Sequence, residues 1–172
     1  MRLTSARLTL AALASIGLAD GCRTASTLTP AAPVPVPAQN VLLVCEHGNV
    51  KSLIAASLFN QIASSRGLPF RAQSRGLNPE AGVPAPIKAA LGKEGIDVST
   101  FESKALSHED AAAASRVISI GVDLTSFATD VRLPIELWSD VPPASVDYAS
   151  SRAALLLHIE ALIRDLQAGR RD

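Results

Sequence analysis

The hydrophobic pattern changes period several times along this chain. Residues 40–45 (NVLLVC) form a short continuous apolar run rich in Val and Leu, the pattern of a strand buried on both faces. From Ser52 the spacing turns helical, with Leu53, Ile54, Ser57, Leu58, Gln61 and Ile62 on one stripe and a stop near Arg66-Gly67. Phe70 to Ser74 reads as a second strand closed by Gly76, and Pro86 to Lys93 as a helix with Gly95 past its end. His108 to Ala114 is a further short helix that Ser107 can cap. Val117 to Ile120 predicts a third strand and Val131 to Trp138 a fourth. Pro134 has no N–H to give a sheet ladder, so the fourth strand belongs at an edge. Ser145 can cap a last helix, Val146 to Leu166, whose Leu155, Ile159, Leu162 and Leu166 share a face.

Strands alternating with helices predict an α/β fold, a three-layer sandwich with a four-stranded parallel sheet and helices on both faces. In such folds ligands collect beyond the carboxyl ends of the strands. The loop that leaves the first strand, residues 45–52, sits at that end.

Composition narrows the class. The 172 residues are 48% hydrophobic with a formal net charge of zero, which suits one globular domain. Aromatics make up only 3%, so the core is aliphatic. The balanced charge offers no basic surface for nucleic acid and no acidic tail.

The N-terminus follows a different logic. Arg2 and Arg7 precede an uncharged, mostly apolar stretch, Leu8 to Ala19, with small residues after it, which is a secretory signal pattern. That stretch is too short for a hydrocarbon core that needs about 20 apolar residues. The competing explanation is a start codon placed upstream of a cytosolic protein. Leu18-Ala19-Asp20-Gly21-Cys22 resembles a bacterial lipoprotein signal, in which Cys22 would be lipidated; Ala19-Asp20-Gly21 equally suits ordinary cleavage. Residues 23–39, with Pro30, Pro33, Pro35 and Pro37, are small, polar and extended, as a tether would be. The expected organisation is a signal peptide at 1–22, a Pro/Ala-rich linker at 23–39 and a domain at 40–172. The protein would be exported to the bacterial cell envelope, either soluble in the periplasm or held to the membrane through a lipid on Cys22. Cys45 is then the only thiol of the domain, which rules out a disulfide within it.

The loop VCEHGNVKS carries the candidate chemistry. Successive amides in a tight turn form a nest for an anion, and the following helix adds its free N–H groups and the positive end of its dipole. Gly48 and Asn49 tolerate the left-handed backbone such a turn needs. A thiol at the mouth of a nest of this kind ionises more readily. Thiolate, bound oxyanion and the cation of Lys51 together suit in-line attack on phosphorus or arsenic.

Cys45, the cation at position 51 and Ser52, after VLLV and before AASLF, resemble the low-molecular-weight protein tyrosine phosphatase family, which includes arsenate reductases. Ser74-Arg75-Gly76, LGKEGIDVSTFESKALSHED and RVISIGVDL resemble later family segments in the same order. The family loop reads Cys-x-Gly-Asn-x-Cys-Arg-Ser. Here His47 takes the glycine place, Gly48-Asn49 comes one position later, Val50 replaces the second cysteine and Lys51 replaces the arginine. Arginine grips an oxyanion through two parallel hydrogen bonds, whereas lysine supplies charge without the fork. Losing such a clamp costs about 2–4 kcal/mol of transition-state stabilisation.

The resemblance implies Cys45 as nucleophile and Ser52 as hydrogen-bond partner of the thiolate. Lys51 and the loop residues Glu46, His47, Gly48, Asn49 and Val50 would hold the oxyanion. Arg75 could swing its guanidinium towards the nest, or stay on the surface. The family acid is an aspartate, best matched by Asp140 in WSDVPP, which otherwise shapes a polar turn. Asp147, Asp123 and Asp130 read as structural. No cofactor or metal is implied. The expected substrate is a phosphate-bearing small molecule or a phosphoprotein, hydrolysed through a Cys45 thiophosphate. The alternatives are an arsenate reductase-like enzyme and an oxyanion-binding module tethered to the envelope.

Overall fold

A strand without polar positions has to lie between two layers, and NVLLVC does. The computed structural model describes residues 39–128 and 135–169. The expected signal peptide with Cys22, the expected linker up to residue 38 with its four prolines, Asp130 and Pro134 lie outside the described residues, while Gln39, expected in the linker, opens the first strand. In β1 (Gln39–Cys45) everything from Val41 onward is buried. It pairs in parallel with β2 (Phe70–Gly76) on one side and β3 (Arg116–Ile120) on the other. The sheet is completed by β4 (Ile135–Trp138), in the order β2-β1-β3-β4. The expected four-stranded parallel sheet is present, and β4 is an edge.

Alternate residues of β1 feed two separate cores. Val41, Leu43 and Cys45 pack under α1 (Lys51–Ser65), α2 (Ala85–Lys93) and α5 (Tyr148–Ala168). Leu42 and Val44 face the layer built around α3 (His108–Ala113) and Leu124, with Phe127 of the short α4 (Thr125–Ala128) packed against it. All described residues belong to one unit, Pro35–Asp172.

Two expectations need correction. The last helix is capped by Asp147, not Ser145: the Asp147 carboxylate accepts from the Ser150 N–H at 3.0 Å and the Ser150 hydroxyl at 2.6 Å. Val146 and Asp147 are held in a turn by their own N–H bonds to the Pro143 carbonyl, so the helix cannot begin before Tyr148. The helix α4 was not legible, because four residues show no period. Asp123 starts it by accepting from the Thr125 N–H. At α3 the Ser107 cap is present, its hydroxyl accepting from the Asp110 N–H.

The outer edge of β2 would expose a row of backbone groups. The chain closes it with its own side chains. Asn60 on α1 bonds both the N–H and the carbonyl of Ala72, while Arg71 and Arg75 donate to the Phe70 and Ser74 carbonyls. Lys104 and Leu106 pair with Gly76. Arg75 also forks onto Asp110 of α3, at 2.8 and 2.7 Å, which ties the sheet edge to the second helix layer.

That fork holds the Asp110 carboxyl below the usual carboxylate range. A depressed folded pKa means that the stabilisation is complete above the unfolded value, about 3.9, and is lost as pH falls through the folded one. A quarter of the Asp110 side chain remains accessible, so solvent screening limits the effect to about 1 kcal/mol. D110N is expected to lower stability by that amount at neutral pH and to weaken the acid-side loss of stability, as read from urea midpoints between pH 7 and 3.

Candidate active site

The site begins where β1 runs out of sheet. After Cys45 the chain makes one tight loop and enters α1 at Lys51. The carbonyls of Cys45, Glu46 and His47 are taken by the N–H groups of Leu77, Asn78 and Glu80, at 3.2, 2.8 and 3.2 Å. The Gly48 carbonyl accepts from the Ser74 hydroxyl at 2.7 Å. With four successive carbonyls satisfied from outside, the donors of the loop are what remain for a ligand. Val50, at the N-cap position, supplies no side-chain acceptor, so the first N–H groups of α1 add to that set.

The fold of the loop depends on two close crossings. Gly48 has φ +71°, and a β-carbon there would lie 2.4 Å from the Ser103 hydroxyl. One on Gly76 would lie 2.8 Å from the carbonyl carbon of His47. Only glycine admits this approach of loop and strand end.

Cys45 is 3% exposed. Its Sγ lies 2.9 Å from the Ser52 Oγ and 3.5 Å from the Ser52 N–H nitrogen. The Ser52 Oγ is in turn 2.7 Å from the Ser74 Oγ. A serine has one hydroxyl hydrogen. Ser74 donates its own to Gly48, so the Ser52–Ser74 bond needs the hydrogen of Ser52. The thiol form of Cys45 therefore donates to Ser52. In the thiolate form the Ser52 hydroxyl can turn to the sulfur, and the Ser52 N–H points to it in either state.

A cavity of about 180 Å³ opens over this thiol. One wall is the loop, including His47, Asn49 and Lys51; the other is Pro143 to Ser145. Asn49 is buried, donating to the Gly82 carbonyl at 3.0 Å while its Oδ1 has no partner among the described residues. Lys51 forms no ion pair or hydrogen bond among the described residues. Its Nζ lies 2.5 Å from where a β-carbon on Gly121 would be, so the ammonium rests against that glycine at the end of β3. Glu46 has a supporting part, its Oε1 accepting from the Asn78 amide at 2.6 Å. The His47 Nδ1 lies 3.2 Å from the Asn78 carbonyl and 3.5 Å from a Glu80 carboxylate oxygen.

Two expected site residues stand elsewhere. Arg75 does not serve the nest, because Asp110, Gln73 and the Ser74 carbonyl occupy its guanidinium. Asp140 does not line the cavity. Its carboxylate meets the His158 Nε2 at 2.7 Å, and that ring stacks on Trp138 with centroids 4.6 Å apart. The contact with His158 holds the Asp140 carboxyl below its ordinary range, which keeps it ionised rather than ready to donate. Sequence reasoning did not assign parts to Ser74, Gly121 or the 77–80 segment. Ser74 was detectable in principle, as a polar residue on the buried phase of an alternating strand.

The chain was compared with known proteins. No curated protein sequence matches it. Among solved structures, an arginine phosphatase, YwlE, with a phosphorylated active-site serine in place of cysteine superposes with a TM-score of 0.68 at 22% identity, over 77% of this chain and 99% of that one. A low molecular weight protein tyrosine phosphatase from T. tengcongensis gives 0.59 at 24% identity, over 74% and 99%. A thioredoxin-dependent arsenate reductase of Corynebacterium glutamicum gives 0.62 at 22% identity, over 79% and 65%. At these identities the structures establish a shared fold. The sequence profile of the low molecular weight phosphotyrosine protein phosphatases matches residues 40–126, from β1 and the Cys45 loop through β3. By that match the chain belongs to the low molecular weight phosphotyrosine protein phosphatase family.

Proposed function

We propose that the protein is a cysteine-dependent phosphatase acting on phosphate monoesters. The observation that carries this reading is the buried Cys45 sulfur, bonded to the Ser52 hydroxyl at 2.9 Å at the mouth of an uncapped helix. The Cys45 thiolate attacks phosphorus, and an S–P bond forms as the ester P–O bond breaks. The bonding pair leaves on the ester oxygen, which takes a proton. Water then attacks the thiophosphate, the S–P bond breaks, and Cys45 returns as a thiolate with release of inorganic phosphate. The loop amides, the first N–H groups of α1 and the Lys51 ammonium hold the non-bridging oxygens.

Arsenate would fit the same cradle, and an arsenate reductase is the second reading. It is favoured by fold likeness to such enzymes. Against it, reduction needs further thiols, and Cys45 is the only cysteine among the described residues. The third reading, an anion-binding module, rests on Lys51 in place of arginine.

The full chain is expected to hydrolyse p-nitrophenyl phosphate, and C45S to lose turnover while keeping phosphate as a bound ligand. Turnover that survives in C45S would remove the nucleophile from this scheme. S52A is expected to slow the reaction by about 10-fold, equivalent to one hydrogen bond of about 1.4 kcal/mol to the sulfur.

Lys51 can be tested from two sides. G121A places a methyl group in the position of the ammonium and strains a backbone at φ +67°. It should weaken phosphate inhibition several-fold without altering the loop. K51R restores the fork and should raise kcat; if neither variant alters anion binding or rate, Lys51 does not face the anion.

The compartment is a separate proposal. The apolar stretch Leu8 to Ala19 followed by Cys22 supports export and anchoring in the cell envelope. Mass spectrometry of the protein from a bacterial host should find a diacylglycerol-modified Cys22 at the new N-terminus; an intact Met1 would place Cys45 in the cytoplasm.

A further inference from the structure

We propose that the cavity over Cys45 takes a phosphate carried on a short saturated carbon chain rather than on an aromatic ring. The wall from Pro143 to Ser145 sets that preference. This inference deepens the phosphatase reading and rests on it. The loop amides and Lys51 meet the phosphate alone, so the group beyond the ester oxygen is chosen by the rest of the lining. That lining is Val50 and the loop side chains on one side and Pro143 to Ser145 on the other.

The chain has four phenylalanines, one tyrosine and one tryptophan, and none of them lines this cavity. Phe59, Phe70 and Trp138 are sealed in the core, at most 1% exposed. Phe101 packs against that core and Phe127 against the second one. Tyr148 is the aromatic residue nearest the wall in sequence. Its hydroxyl donates to the Glu94 carboxylate at 2.6 Å, which directs the ring to the end of α2. Arg152 holds Glu94 there from the other side, at 2.7 to 2.9 Å. The only ring on the lining is the His47 imidazole, and its Nδ1 lies 3.2 Å from the Asn78 carbonyl oxygen.

A phenyl group is favoured over a saturated one where another ring meets its face or edge, and such a pair adds about 2- to 12-fold in affinity beyond the burial of its area. Pro143, Ala144 and Val50 offer carbon without a π-face. Burial against them is non-directional, so a ring gains no more there than a saturated chain of equal hydrophobicity. The wall is also fixed. Ala144 is buried, and the Pro143 carbonyl accepts from the N–H groups of Val146 and Asp147 at 3.0 and 3.1 Å. A saturated chain can turn about its own bonds to follow such a wall, and a cavity of about 180 Å³ admits a short one. The family is named for phosphotyrosine, yet no tyrosine, tryptophan or phenylalanine here is placed to read its ring.

Phosphonates report this preference without any leaving-group chemistry. In calorimetry on the full chain, n-butylphosphonate should bind at least as tightly as benzylphosphonate, whose carbon group is of similar hydrophobicity. Benzylphosphonate binding tighter by about 3-fold or more overturns the proposal. Ser145 is the exposed end of the wall, and S145Y sets a ring there. The variant should shift the ratio of the two affinities towards the benzyl ligand several-fold; an unshifted ratio means that the wall does not meet the carbon group, and the proposal fails. O-phosphoserine, free or within a peptide, separates a metabolite from a protein as the source of the chain. The proposal stands if either form binds more tightly than its phosphotyrosine counterpart and falls if neither does. Turnover of p-nitrophenyl phosphate reports separately on the phosphatase reading. A chain with no turnover and no binding of inorganic phosphate overturns both, whereas turnover with a benzyl preference overturns this one alone.

Discussion

The hydrogen-bond chain from Cys45 through Ser52 and Ser74 to the Gly48 carbonyl is the constraint around which the site is built. It joins the end of β1, the first turn of α1, the buried phase of β2 and the middle of the loop. Each hydroxyl has one hydrogen, so the chain has a direction, and that direction is set by the protonation state of the sulfur. When Ser52 turns to a thiolate, Ser74 loses the hydrogen it was accepting. Two oxygens 2.7 Å apart cannot remain there without one. Ser74 must then turn to Ser52 and release Gly48, or Ser52 must keep Ser74 and leave the sulfur to its own N–H. The hydrogen on the Cys45 sulfur is thereby coupled to the backbone of the loop at Gly48.

The same economy of donors and acceptors explains why the loop has a single shape. A nest needs its amides free and its carbonyls occupied, and residues 77–80 with Ser74 occupy them. The crossing of Gly48 over the end of β2 brings Ser74 and Ser103 close enough to help. A side chain at Gly48 or Gly76 would push the loop off the strand, and the acceptors would be lost along with the shape.

Much of this was legible in the sequence. NVLLVC has no polar phase, so it had to be central, and a central parallel strand places its following loop at the ligand end of the sheet. That placement singled out the Cys45 loop as a candidate, while the part given to Ser52 came from the family resemblance; the structure sets the Ser52 hydroxyl 2.9 Å from the sulfur. The setting of Arg75 was not legible, because a residue at a strand end reveals nothing of which partner claims it; Asp110 is 35 positions away and meets it through α3. The setting of Asp140 was not legible for the same reason. The dipeptide spacing near Pro142 describes a turn, whereas the direction of the carboxylate is set by His158 and the Trp138 ring beneath it. The start of α5 was misplaced because Ser145 and Asp147 are both acceptable caps in isolation, and only the turn closed by Pro143 selects between them.

Lysine at position 51 bears directly on the phosphatase proposal. The ammonium is seated against Gly121, where it acts as a compact charge with no ion-pair partner among the described residues. A point charge attracts the three oxygens of a bound phosphate about as well as those of the planar group being transferred. Such attraction lowers KM and does little for kcat, because the ground state and the transition state gain alike. A guanidinium discriminates between them, since its two parallel N–H groups match equatorial oxygens only in the transition-state arrangement. Under the proposed phosphatase reading, the selective part of catalysis falls to donors fixed in direction, the loop amides and the first N–H groups of α1. On that reading the cradle would hold its oxyanion chiefly by charge and draw its rate from the backbone.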